Sequence, residues 1–247
     1  MENLVNLTYI AASILFIYGI KMLGNASTAK RGNMISAAGM LIAVVITLIQ
    51  QDLDYSFILG GLALGSAIGF IAAKRVQMTG MPELVALFNG FGGLASLLVG
   101  WAEYHRVVNN AFAFAADFDH FTAAVTVLAI LIGGITFTGS IYAWGKLSGK
   151  FGGTALTFKN QKALNAVLAG GIILAGIIFA LAPNTATAYP LILAVILLSL
   201  LLGILAVMPI GGGDMPVVIS LLNSCSGLAA CAAGFVIANN VLIVAGC

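Results

Sequence analysis

Apolar residues in this chain fall into runs of about 20, one after another from end to end, and short stretches between them hold nearly all the charge. A helix rising 1.5 Å per residue needs about 20 apolar residues to cross a hydrocarbon core of ~30 Å. The pattern predicts an all-α polytopic membrane bundle with eight full spans, at approximately 4–21, 34–50, 57–73, 82–101, 121–145, 163–182, 188–208 and 215–237. A ninth begins near Val241 and is cut at Cys247. No soluble domain interrupts the spans, so residues 1–247 read as one transmembrane domain. The first run leads into KMLGNASTAKRGN, not a small-residue cleavage site, and is read as a spanning helix.

The polar positions orient the bundle. Lys21, Lys30, Arg31, Lys74, Arg75, Lys146, Lys150, Lys159 and Lys162 fall in loops one, three, five and seven, against Arg106 alone on the other side. Basic residues collect on the cytoplasmic face. The N-terminus is therefore expected outside, with the ninth helix heading back toward the cytoplasm. Trp101 and Tyr104 at the outer boundary, with Tyr142 and Trp144 at the inner one, suit aromatic belts. Glu2, Asp52, Asp54, Glu103, Asp117 and Asp119 fall outside, as do His105 and His120 in the fourth loop. Only Glu83 and Asp214 are acids on the inner side, each beside a Met-Pro that begins a helix.

That coincidence is part of an internal repeat. A shift of 134 residues lays Met81-Pro82 on Met215-Pro216 and pairs Asn89 with Asn223, Gly93 with Gly227, Leu94 with Leu228 and Gly100 with Gly234. The repeat units are about 57–101 and 191–235, helices three and four against seven and eight. An offset of four helices makes both copies point the same way, a parallel repeat. Proline is tolerated in a first helical turn, and an acid there caps free N–H groups and meets the positive end of the helix dipole. The glycines, with Gly61, Gly65 and Gly69 on the third helix, permit close helix approach.

Composition excludes several classes. The chain is 61% hydrophobic and 7% charged, where a soluble domain carries roughly a quarter charged residues. A net charge of +2 without basic clusters gives no nucleic-acid surface. Cys225, Cys231 and Cys247 form no CxxC and no Cys/His ligand spacing, so no metal site is expected. GKLSGK in the fifth loop has the wrong glycine spacing for a phosphate loop, with Phe151 where Ser or Thr belongs.

What remains is polar chemistry inside the membrane. Asn89 and Asn223 lie seven residues past their prolines, about 10 Å into the bilayer. Ser140, roughly two turns from the cytoplasmic end of the fifth helix, reaches the same depth. The three are expected to surround one half-depth polar chamber open to the cytoplasm. Ser220, Ser224 and Thr136 are expected only to join helices by hydrogen bonds. Intramembrane polar groups mark ion or proton pathways. No span holds a Lys, His or carboxylate at its centre, so a complete proton path needs a titratable group from another polypeptide or an ordered water chain. The chain holds no enzyme site of its own. The competing class is a self-contained secondary transporter with a solute bound between the repeats.

TGMPELVALFNGFGGLAS, FTGSIYAWGKL and MPIGGGDMP with its following Asn resemble the membrane domain of the proton-translocating NAD(P) transhydrogenase beta subunit. The resemblance implies a complex that moves hydride between NADH and NADP⁺ and couples it to inward proton movement. Its NADP(H)-binding domain normally follows the last helix, and its NAD(H)-binding domain belongs to the alpha subunit. This chain stops within that last helix and is expected to lack the NADP(H) domain, bind no cofactor itself and be incompetent alone. Asp214, Asn223 and Ser140 match family positions for coupling and proton conduction, and Glu83 is assigned beside Asp214. Asn89 falls where some members carry a proton-conducting His. With Asn there, the His is expected on an alpha-subunit membrane helix. The complete complex is expected to be a dimer, and the charge bias favours a bacterial inner membrane.

Overall fold

A computed structural model describes residues 2–49, 55–109 and 118–247. Among them there are α-helices and two single 3-10 turns, and no strand. Eight helices are long and apolar enough to cross a membrane, as an integral membrane protein requires. They are α1 (Glu2–Leu23), α2 (Ala26–Ile49), α3 (Tyr55–Arg75), α4 (Met81–Asn109), α5 (His120–Leu147), α6 (Gln161–Leu181), α7 (Ala188–Val207) and α8 (Met215–Val236), followed by the short α9 (Asn240–Gly246). Two boundaries differ from expectation. Helix α2 starts at Ala26, not near 34, so Lys30 and Arg31 are helical. Helix α4 runs on to Asn109 and takes in Glu103, His105 and Arg106, the last paired with Glu103. Asp52, Asp54, Asp117 and the side chain of Glu2 lie outside the described residues.

The chain divides into two compact units, Met1–Arg75 and Val76–Cys247. In the first, α1 and α2 form an antiparallel hairpin, with the Tyr9 and Thr47 hydroxyls 2.9 Å apart. A Cβ on Gly32 would sit 2.8 Å from the Met22 side chain and 2.7 Å from the Gly19 carbonyl, which is why the backbones can approach. The third helix buries no residue, and Cβ atoms on Gly61, Gly65 and Gly69 would meet nothing within 4 Å. Within this unit those glycines mediate no close approach to α1 or α2.

The second unit is built round α5, which packs against α4, α6, α7 and α8. Glycines line its contacts. Gly133 faces Gly93 of α4, Gly134 faces Ser199 of α7, and Gly139 lies against Val207 of α7 and Leu222 of α8. Near the start of α5, Leu97, Ile130, Ile172, Phe179, Ile192 and Val195 form one apolar core. Tyr104 is sealed in it, donating its hydroxyl to the Pro183 carbonyl at 3.0 Å with Phe118 and Phe179 edge-on to its ring. It is a core residue, not part of an aromatic belt.

Helices α4 and α8 start alike. A 3-10 turn precedes each, at Met78–Gly80 and Gly212–Asp214, and an extended residue precedes each turn: Gln77 (φ −78°, ψ 158°) and Gly211 (φ −72°, ψ 158°). The helices then begin at Met81 and Met215, with proline second. Helix α9 turns back along α8, and a Cβ on Gly227 would meet the Gly246 carbonyl at 2.8 Å. A Cβ on Gly93 would meet the Gly133 carbonyl at the same 2.8 Å.

Helix α5 has the strongest cap. Asp119 accepts from the Thr122 N–H at 2.9 Å and the Thr122 hydroxyl at 2.6 Å. These bonds, the hydroxyl's foremost, hold its carboxyl below the usual aspartate range. A depressed carboxylate contributes stability above its unfolded pKa and loses it as pH falls through the folded one. Asp119→Ala is expected to cost about 1 kcal/mol near neutral pH, and the difference from the parent should vanish in acid. Thermal unfolding in detergent at two pH values measures both.

Candidate functional site

The buried face of α4 is written in its sequence. Ala86, Gly90, Gly93, Leu97, Gly100 and Tyr104 alternate spacings of four and three and are all buried. Asn89 lies beside that stripe and is 7% exposed. The glycines bring α5 so near that Ser140, fully buried, meets Asn89 without a gap. The Asn89 Nδ2 donates to Ser140 Oγ at 2.8 Å. A third helix closes the group: Ser226 Oγ on α8 donates to Asn89 Oδ1 at 2.7 Å and lies 3.3 Å from the Asn89 carbonyl. One amide thus bridges two hydroxyls, and three helices meet at a chain of polar hydrogens within an apolar bundle.

Two of the three expected side chains come together and the third does not. Asn223 is exposed on α8 and lies outside this cluster. The reason is helical phase. Met215, Ile219, Leu222, Ala229, Ala233 and Val236, six of the eight buried positions of α8, form one stripe, and continuing their four-three spacing from Leu222 lands on Ser226. Asn223 is one residue, 100°, out of that stripe. It sits on the side of α8 that α9 begins to cover through Gly227 and Gly234. The periodicity is the signal for Ser226, and matching by depth alone does not find it.

Other expectations shift as well. Thr136, one turn from Ser140, is fully buried, and its hydroxyl has no partner among the described residues, so it joins no helices by hydrogen bonding. Among the described residues Ser224 bonds only to the Ser220 carbonyl in its own helix, at 3.4 Å. Asp214 is exposed and its carboxylate makes no cap bond to α8, while Glu83 is half-buried in the first turn of α4. His105 and His120 are helical, near the opposite ends of α4 and α5 from the cluster, bonded to Tyr189 and to the Ala180 carbonyl. His120 precedes Ser140 on α5 by about 30 Å of helix. The GKLSGK segment is the last turn and C-cap of α5: Gly149 takes φ 72°, and the Phe151 N–H returns to the Gly145 carbonyl at 3.0 Å.

Below the cluster, Ala86, Ala143, Val207, Met215, Ile219 and Leu222 form an apolar floor. At its edge is the second residue that sequence reasoning misplaced. Lys146, expected in a solvated loop, is 2% exposed within α5.

The sequence model of the NAD(P) transhydrogenase beta subunit family matches residues 5–247, nearly the whole chain. The chain belongs to the NAD(P) transhydrogenase beta subunit family. Two relatives, both named NAD(P) transhydrogenase subunit beta, come from Rhodospirillum rubrum and from a strain of that species. Each is 40% identical over 246 residues, which are 99% of this chain and 52% of the relative. The chain therefore spans about half the length of the beta subunits it matches. The residues that the family model matches include the whole three-helix polar cluster of this chain.

Proposed function

We propose that the chain is the membrane proton-translocating part of an NAD(P) transhydrogenase, coupling inward proton movement to hydride transfer between NADH and NADP⁺ on soluble domains outside residues 1–247. The bonded group Asn89–Ser140–Ser226 carries the reading. An amide donating to one hydroxyl and accepting from another can order water and relay a hydrogen-bond chain, but none of the three ionises near neutral pH. The titrating group then comes from a partner, and a histidine on an alpha-subunit membrane helix suits that need. Exposed Asn223 lies where a continuation of α9 along α8 would run, and a ninth span there would cover its amide.

In this reading Asp214 and Glu83 sense the NADP(H)-binding domain at the cytoplasmic mouth, with the N-terminus outside a bacterial inner membrane and the complete complex a dimer. Helices α4 and α8 are copies in a parallel repeat. The matched 3-10 turns and the equal glycine–carbonyl approaches of α5 on α4 and α9 on α8 support this, with α9 as the first turns of a ninth span.

Proton uptake and hydride transfer by the complete complex in vesicles test the proposal. Ser226→Ala should lower both together by about tenfold, equivalent to ~1.4 kcal/mol, with assembly unchanged. Full coupled turnover in that variant would defeat it.

A further inference from the structure

Lys146 poses a problem that the polar cluster does not solve. Burying an ammonium costs far more than burying a methionine of similar length, yet its side chain is 2% exposed. Among the described residues the ion pair is Arg106–Glu103, so no carboxylate there neutralises Lys146. Its Nζ donates instead to the carbonyls of Met208, at 2.6 Å, and Ile210, at 2.5 Å, and lies 5.4 Å from the centre of the Tyr142 ring. Met208 caps the C-terminus of α7, where free carbonyls form the negative end of the helix dipole. Both hydrogen bonds of the cation thus go to backbone carbonyls, and the backbone it holds leads directly to Asp214.

The same stretch is fastened from its other side. Met208 O also accepts the Leu156 N–H at 3.2 Å, and the Gly212 N–H donates to the Gly153 carbonyl at 2.8 Å. Residues 208–214 therefore lie between α5, through Lys146, and the loop after α5, through two backbone bonds. Asp214 itself stays exposed. Lys146 follows Ser140 on one unbroken helix by six residues, about 9 Å. At the far end of the segment begins α8, which carries Ser226.

We infer that Lys146 is a positioning residue that couples the segment bearing Asp214 to the polar cluster, an inference that rests on the proton-translocating reading above. A pull on the exposed Asp214 segment reaches the Met208 and Ile210 carbonyls. It then either breaks the Lys146 clamp or drags α5, and with it Ser140, relative to Asn89. Neither hydrophobic packing nor surface charge explains a lysine here, whereas a clamp does.

The complete complex, reconstituted in vesicles, provides the test. Gly213 is exposed, and a Cβ there meets nothing within 4 Å, so Gly213→Cys reports on the segment through its labelling by a water-soluble maleimide, read by peptide mass. Lys146→Met keeps the packing and removes the clamp. It is expected to raise labelling about fivefold and to lower proton pumping about tenfold in assembled complex. Unchanged labelling overturns the inference, and so does pumping within about twofold of the parent. Should Lys146→Met fail to assemble, Lys146→Gln, which keeps an N–H donor for one carbonyl, is judged by the same two criteria at about half the effect. Ser140→Ala is measured alongside. Normal pumping by Ser140→Ala sinks the proton-translocating reading itself, whereas lost pumping there with normal pumping by Lys146→Met sinks the clamp alone.

Discussion

Asn89→Leu, in a complete complex, is expected to lower proton pumping by more than tenfold while the complex still assembles. The leucine removes the amide that joins Ser140 and Ser226 and leaves two hydroxyls without their partner in an apolar interior. Each lost bond costs about 1 kcal/mol of stability, which a leucine in a membrane helix partly recovers through packing. The fold therefore tolerates the change, and the glycine contacts between α4 and α5 are untouched. Function does not tolerate it, because the two hydroxyls belong to different helices and only the amide spans them. Proton uptake into vesicles, normalised to assembled complex, gives the measurement. Retention of more than half the parent rate would contradict the role assigned to Asn89.

Gly133→Val is expected to have the largest effect on stability. A Cβ on Gly133 would lie 2.6 Å from the Gly93 carbonyl and 2.9 Å from the Leu97 N–H. Both obstacles are backbone, so no side-chain rotation relieves them and α4 must move away from α5. Overpacking of this kind costs about 1–3 kcal/mol, and the displacement also draws Asn89 from Ser140 two turns away. Thermal unfolding in detergent should show a lowered midpoint, with pumping lost as well. Gly92→Ala is the control, since a Cβ at Gly92 meets nothing within 4 Å; its midpoint should match the parent's. Equal behaviour of the two variants would remove the glycine seam from the account.

How much of this was legible beforehand depends on what each sequence signal measures. Hydropathy reports where a chain can cross a membrane, and it found all eight spans. It does not report where helices end, which is why α2 begins at Ala26 and α4 continues to Asn109. In the polar segment NASTAKRGN, Ala26, Ala29, Lys30 and Arg31 are good helix formers, and the break falls before them, at the Gly24–Asn25 turn. Residue chemistry picked out Asn89 and Ser140, since buried polar groups in a membrane are rare. Depth from the helix start then suggested Asn223, but depth says nothing about azimuth, and the four-three spacing of α8 selects Ser226 instead. Lys146 was hidden for another reason. A lysine at a helix end reads as a loop charge, and its partners are the carbonyls of Met208 and Ile210, which any residue type could supply.

The central claim is that Asn89, Ser140 and Ser226 work as a single unit, and a double-mutant cycle tests it most directly. Proton pumping would be measured for Asn89→Leu, Ser226→Ala and the two combined, in assembled complex. Groups in one hydrogen-bonded unit are non-additive, so the double variant is expected to pump no more slowly than Asn89→Leu alone. Losses that multiply, with the double variant slower than Asn89→Leu by the full factor of Ser226→Ala, would mean that the two residues act independently and that the cluster is not the pathway.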